Sequence, residues 1–172
     1  ELQEKISGLR EYLGRVAPPH DYARVALLWA DQYFPGVIGA ENKQDVIRMI
    51  LDHQRPDGGW SIRSFSEPEK WGRGNRAERL RAETDFGDPP SDGHQTGLAV
   101  VVLSSAGVPP THPAVKRGVG WLEANQRQSG RWWTKSLNTD NFHFITYTGT
   151  LYPVMALAVT GSVPSLRDRS FD

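Results

Sequence analysis

The sequence predicts an all-α fold of about three antiparallel helix hairpins, and three observations predict it. Two segments match in register: Gln54-Arg55-Pro56-Asp57-Gly58-Gly59-Trp60 and Gln126-Arg127-Gln128-Ser129-Gly130-Arg131-Trp132 space their Gln, Gly and Trp identically. A partial third copy follows, in which Thr150-Leu151-Tyr152-Pro153-Val154-Met155-Ala156-Leu157, ending at Gly161, overlays Thr96-Gly97-Leu98-Ala99-Val100-Val101-Val102-Leu103, ending at Gly107. Apolar residues recur at helical spacing, and no stretch shows the strict alternation of a half-buried strand.

Taken in order, helices are predicted over 2–16, 21–34, 42–54, 94–106, 113–126 and 145–160. Val25, Leu28, Trp29 and Gln32/Tyr33 give the second its apolar face, and Val46, Ile47, Ile50 and Leu51 give the third its own. The unit-to-unit match extends upstream of the Gln–Trp segments. Ala26-Leu27-Leu28-Trp29 aligns with Leu98-Ala99-Val100-Val101, and 46–51 aligns with 118–123. Asp92 is a candidate N-cap for the fourth helix, and Gly107 followed by Val108-Pro109-Pro110 stops it. Pro113 suits the first turn of the fifth. Residues 61–91 interrupt the repeat as a long Gly/Pro- and charge-rich insertion, with one short helix predicted at 75–82; inserts of that length are usually functional or mobile. Residues 1–161 are expected to form a single α/α-repeat domain, followed by a polar tail over 162–172.

Composition narrows the function classes. A chain of 172 residues suits one core. Lys plus Arg (20) equals Asp plus Glu (20), so nothing draws the chain to nucleic acid or an anionic membrane. The longest apolar run, 98–103, is far too short for a transmembrane segment. Without cysteine there is no disulfide, no thiolate nucleophile and no sulfur-dependent metal site. The start at Glu1-Leu2-Gln3, without Met or a signal-like run, leads us to expect a piece of a longer protein or a processed chain.

The run Lys116-Arg117-Gly118-x-x-Trp121-x-x-x-x-Gln126-x-x-x-Gly130-x-Trp132 resembles the QW motif of squalene and oxidosqualene cyclases, and Gln54 to Trp60 resembles a second copy lacking the basic-Gly start. Protein prenyltransferase β subunits share this repeat architecture. The resemblance implies the α/α toroid type, with 21–34, 94–106 and 145–160 as inner helices and 2–16, 42–54 and 113–126 as outer ones. Six helices would make a partial ring, completed by self-association or by a remainder of the toroid. Gln54, Gly58, Trp60, Gln126, Gly130 and Trp132 are read as structural. Each Gln amide can satisfy orphan backbone groups of a neighbouring helix, each Trp face can stack on that amide, and each Gly permits the tight turn between them.

The chemistry that the resemblance implies lacks its residues. Class II terpene cyclases protonate an alkene with an Asp-x-Asp-Asp motif that does not occur here; Asp85-Phe86-Gly87-Asp88 is the nearest carboxylate cluster and suits a solvated turn. Prenyltransferase zinc and the reactive thioester of related domains both need Cys. No cofactor or metal is therefore expected. The candidate cavity residues lie where inner helices begin: His20 and Asp21, Asp92 and His94, His143 and Tyr147. Imidazole and carboxylate there could converge as an acid–base pair or metal site, or serve as caps and exposed loop residues. Arg131, Trp133 and Lys135, with Phe142, Phe144 and Tyr147, form a candidate aromatic and cationic binding wall. The interleaved Lys70, Arg73, Arg76, Arg79, Arg81 and Glu67, Glu69, Glu78, Glu83 read as an ion-paired, solvated surface. Three function readings follow: a binding module for a hydrophobic or glycan small molecule, a portion of a terpenoid cyclase-like enzyme with its acidic motif elsewhere, or a carbohydrate-active toroid using Asp92, Asp85 or Asp88.

Overall fold

The computed structural model describes residues 1–38, 40–137 and 147–163. The tail over 164–172 lies outside them, as do His143, Phe142 and Phe144. The described residues form seven α-helices: α1 (Leu2–Arg15), α2 (Asp21–Ala30), α3 (Ala40–Asp52), α4 (Ala77–Arg81), α5 (Gly93–Ser105), α6 (Pro113–Asn125) and α7 (Thr148–Val159). Short 3-10 stretches at Ile62–Phe65 and Pro68–Gly74 precede α4, and no strand occurs among the described residues. The fold is all-α.

Helix α5 is the centre. Every residue from Gly93 to Leu103 is buried, because α5 packs on α2, α3, α6 and α7 at once. Such a helix loses its polar face, and its sequence reads as a continuous apolar run instead of a stripe. Its partner α7 comes unusually near. A Cβ on Gly97 would lie 2.3 Å from the Pro153 nitrogen, so only glycine permits this approach. Pro153 interrupts α7 without ending it.

Gly107 (φ 92°) and Gly161 (φ 75°) end α5 and α7 in the same way. In each, the following N–H reaches back five residues, Val108 to the Leu103 carbonyl at 3.0 Å and Ser162 to that of Leu157 at 2.9 Å. This is the Schellman closure that a left-handed residue allows. The third partial repeat is thus visible as structure.

Two expectations need correction. The second helix stops at Ala30, four residues before the predicted end, because the buried Asp31 carboxylate folds the chain back. It accepts from Gly36 N (3.0 Å) and Ile38 N (3.3 Å) and pairs with Lys43 Nζ at 2.5 Å. The insertion is not a loose loop. Phe65 and Leu80 are 0% and 3% exposed, and its Arg63 grips Glu83 through two bonds of 2.6 and 2.9 Å. Arg63 also donates to the carbonyls of Lys135 (3.0 Å) and Ser136 (3.2 Å), and Arg79 to that of Leu137 (2.6 Å). The insertion thereby straps the extended segment that follows Trp132.

Candidate functional site

The two Gln–Trp turns are superimposable in their bonding. Trp60 Nε1 donates to Ile50 O and Trp132 Nε1 to Leu122 O, both at 2.7 Å. Arg55 N donates to Gly59 O at 2.9 Å and Arg127 N to Arg131 O at 3.0 Å. Gln54 Nε2 reaches Gly58 O at 2.8 Å and Gln126 Nε2 reaches Gly130 O at 3.0 Å. Ile50 and Leu122 lie in the last turn of their helices, where carbonyls lack intrahelical partners. The indole N–H, rather than the Gln amide, takes up that orphan carbonyl. The Gln amide instead closes its own turn, and Gln54 additionally spans to the next hairpin: Nε2 donates to Ala114 O at 2.8 Å, and Arg117 donates to Oε1.

The residues at the inner-helix ends divide into two groups. Asp92 caps α5 and is fully enclosed. Its Oδ1 accepts from Gln95 N (2.9 Å) and Thr134 Oγ1 (3.3 Å), and its Oδ2 from Ile62 N (2.7 Å). Burial pushes the carboxyl up to about 6, against the pull of those donors and of Arg63. Asp21, at the start of α2, pairs with His53 Nε2 (3.2 Å) and Arg24 (3.0 Å). Partial burial would raise this carboxyl, but the two bonds outweigh it and hold it below its ordinary value. Asp21 and Asp92 therefore serve separate networks and do not converge. No group of three or more His, Asp or Glu side chains among the described residues is arranged to hold a metal ion.

The histidines belong to something else. His94 is 5% exposed and sits between two hydroxyls, Tyr22 at 3.1 Å from Nε2 and Thr148 at 3.0 Å from Nδ1. Burial drives its pKa down to about 4, so the ring is neutral. Around it runs an unbroken chain of ring contacts. Trp71 lies 4.8 Å from His20 and 5.6 Å from Tyr22, Tyr22 5.9 Å from His94, His94 5.0 Å from Tyr152, and Tyr152 5.9 Å from Trp29. Apart from His94 these rings are half-buried. They come from α2, α5, α7 and the insertion, so the band crosses all three helices expected to be inner. Trp71 is held there by a backbone turn in which Gly72, Arg73 and Gly74 all have positive φ (51°, 62° and 78°). Beside His20 the band opens into a groove of about 430 Å³, lined by His20, Asp21, His53, Phe65, Lys70 and Phe86 among others.

The binding wall expected around Trp133 is differently placed. Lys135 Nζ lies 3.2 Å from Glu83 and 3.4 Å from Asp85, so its charge is taken up by the insertion. Trp133 is half-buried, whereas Arg131 and Tyr147 are exposed. The space enclosed by Asp85, Asp92, Trp133 and Lys135 is only about 10 Å³, room for one water at most. Asp88 sits on the surface against Arg55 at 2.5 Å. The three carboxylates considered for glycan chemistry thus share no open groove. Among the charges of the insertion, Arg81–Glu69 is solvated, but Arg63–Glu83 is buried.

Sequence reasoning missed Tyr22, Trp71, Tyr152 and His53. Tyr22 and Trp29 share one face of α2, seven residues apart, and Tyr152 sits early in the third copy, so part of the band was available as pattern. Trp71 carried no such signal. No helix among the described residues is long and apolar enough to cross a membrane.

The family model for the squalene-hopene cyclase C-terminal domain matches residues 35–161. Neither the curated proteins nor the solved structures give a significant match. The matched span takes in both Gln–Trp turns, the insertion and all of α5, α6 and α7. The chain belongs to the squalene-hopene cyclase C-terminal domain family, a cyclase-like repeat domain of the α/α toroid type.

Proposed function

We propose that this domain is a binding module which takes up an apolar small molecule of isoprenoid character along the ring band of α2, α5 and α7. The observation that carries the reading is the band itself: five half-buried rings in continuous contact, linked through a neutral, buried His94. Ring faces present polarizable apolar surface with a negative quadrupole, which suits hydrocarbon and delocalised positive charge. A glycan would want free polar groups among the rings. Here Tyr22, Thr148 and His94 are engaged with one another, and the nearby carboxylates are committed to backbone and cationic partners.

Isothermal titration calorimetry with farnesol, a linear isoprenoid alcohol, and with cellohexaose tests the proposal. Saturable farnesol binding that weakens at least ~10-fold, or ~1.4 kcal/mol, in the double variant Trp71→Ala, Tyr152→Ala is the expected result. Binding of the glycan in preference to farnesol, or no saturable heat with either, would sink it. The family match supports a second reading, in which the domain is a portion of a cyclase whose acidic motif lies outside these residues. The band would then wall the cavity of the larger enzyme, and the same titration would still report farnesol.

A further inference from the structure

The ring band has a polar end, set by how α2 begins. His20 caps this helix through Nδ1, which accepts the Ala23 backbone N–H at 3.1 Å. A backbone N–H can only donate, so Nδ1 carries a lone pair and the neutral ring keeps its proton on Nε2. Burial lowers the pKa of His20 below its ordinary value of 6.5, with the Lys70 charge acting in the same direction, so the ring is neutral above pH 7. Its Nε2–H lies on the ring edge turned away from the Ala23 amide and has no hydrogen-bond partner among the described residues. At His94, by contrast, both ring nitrogens are occupied, by Tyr22 and Thr148.

His20 is also the ring of the band that lines the groove of about 430 Å³. A ligand lying along Tyr22 and Trp71 therefore meets this N–H where the rings give way to polar walls. The formal charges of those walls cancel, Asp21 and Glu67 against Arg63 and Lys70. Asp21 is held by His53 and Arg24, Arg63 is held by Glu83, and Glu67 lies 3.9 Å from Arg81. Lys70 is exposed, so its charge is solvated. Taking an ion out of water needs a matched partner of opposite charge, and these walls hold no excess of either sign. Phe65 and Phe86 complete the lining with apolar surface. Such a groove suits an uncharged polar head on an apolar chain.

We propose that this groove receives the oxygen-bearing end of the ligand, a neutral hydroxyl or ether, and that the His20 Nε2–H donates to that oxygen. His20 then selects oxygenated isoprenoids over plain hydrocarbons, because a hydrocarbon displaces water from the N–H and leaves it without an acceptor. The inference rests on the ring band as the track for the chain and names the head that goes with it.

Tryptophan fluorescence titrations of the whole chain at pH 7.5 with farnesol, farnesyl methyl ether, farnesene and farnesoic acid test this. Farnesol and its methyl ether both offer an acceptor oxygen and are expected to bind at least ~10-fold tighter than farnesene. His20→Ser keeps an oxygen to cap the Ala23 N–H and removes the distal donor. In that variant the ratio of farnesol to farnesene affinity should fall to within ~2-fold; the ratio cancels the loss of ring surface, which both ligands share. Circular dichroism checks that the variant folds, and the ligand series on the native protein stands without it. Farnesene bound as tightly as farnesol overturns the head-group assignment and leaves the band as a binding track. Farnesoic acid as the tightest ligand overturns it in favour of an ionic site at Lys70, and a ratio unchanged by His20→Ser overturns it as well. No binding of any of these ligands removes the band reading and this inference together.

Discussion

The fold holds two buried titratable groups whose shifts oppose each other, and separating them is the sharpest test of how α5 is anchored. His94 titrates at about 4 when folded and 6.5 when free. A depressed imidazole gives stability that is full above 6.5 and drains away as pH falls toward 4, because the unfolded chain takes up a proton that the fold refuses. The gap is worth ~3 kcal/mol in total. Asp92 titrates at about 6 when folded and 3.8 when free. A raised carboxyl works the other way: its contribution is full below 3.8 and is lost as pH rises through 6, again ~3 kcal/mol in total. The windows nearly coincide, so in the native protein the Asp92 gain offsets part of the His94 loss from pH 7.5 to 5.

At pH 5 the worked contributions are a loss of ~2 kcal/mol from His94 and a gain of ~1 kcal/mol from Asp92, relative to neutral pH. Asp92→Asn removes the gain and leaves the loss; His94→Gln removes the loss and leaves the gain. Urea unfolding in steps from pH 7.5 to 5 reads the slopes. The constant cost of each substitution, such as the Asn amide facing the Ile62 donor, cancels from a slope. The depressed carboxyls of Asp21, Asp31 and Glu83 start from 3.8 or 4.5 and so weaken the fold mainly below this range, whereas His20, lowered from 6.5 by burial, adds a loss within it; both effects are common to all three proteins. The reasoning is refuted if Asp92→Asn loses no more stability on acidification than the native protein, or if His94→Gln loses as much as the native protein does.

Three further outcomes follow from the turns and the insertion. Trp60→Phe keeps a buried ring but strands the Ile50 carbonyl, and should cost about 1–3 kcal/mol in urea unfolding; Trp132→Ala also opens a cavity and should cost about 3–5 kcal/mol. Gly58→Ala must both adopt positive φ and push on the Arg117 backbone, whereas Gly130→Ala meets open space, so the melting temperature should fall clearly further for the first than for the second. Glu83→Ala leaves Arg63 buried without its carboxylate and should cost about 3–5 kcal/mol, with hydrogen exchange rising first at the amides of 61–91 and 133–137.

What the sequence made legible is what repeats. The Gln, Gly and Trp positions recur because each unit must end its outer helix and turn back in the same way, and Asp92 announced a cap by preceding a continuous apolar run. The end of α2 was not legible, since Asp31 acts on amides five and seven residues ahead through a loop with no helical or strand period. The insertion was misread for a related reason. Its charges alternate in sign as solvated charges do, and nothing local distinguishes Glu83, 7% exposed at its side chain, from Glu69 at 52%. The ring band was hidden because its members come from four separate segments, and only packing makes Trp71 a neighbour of Tyr22.

Asp92 is the residue in which architecture and chemistry compete, and geometry decides between them. A carboxyl titrating near 6 at the head of an inner helix has the acidity expected of a group that protonates a substrate at neutral pH. Yet both its oxygens face donors, one from the insertion, one from α5 and one from the Thr134 hydroxyl, and the space beside it admits no more than a water. The hydrogen-bond partners of the Asp92 carboxylate among the described residues are Ile62, Gln95 and Thr134, and none of them is a ring of the band. The carboxylate is spent on joining the insertion, the helix and the segment after Trp132 into one unit. An acid able to act on a ligand held by Trp71, Tyr22 and Tyr152 must therefore approach from the open side of the band, where the groove is lined by His20, Asp21, His53 and the exposed Glu67, whose carboxylate lies 3.9 Å from Arg81.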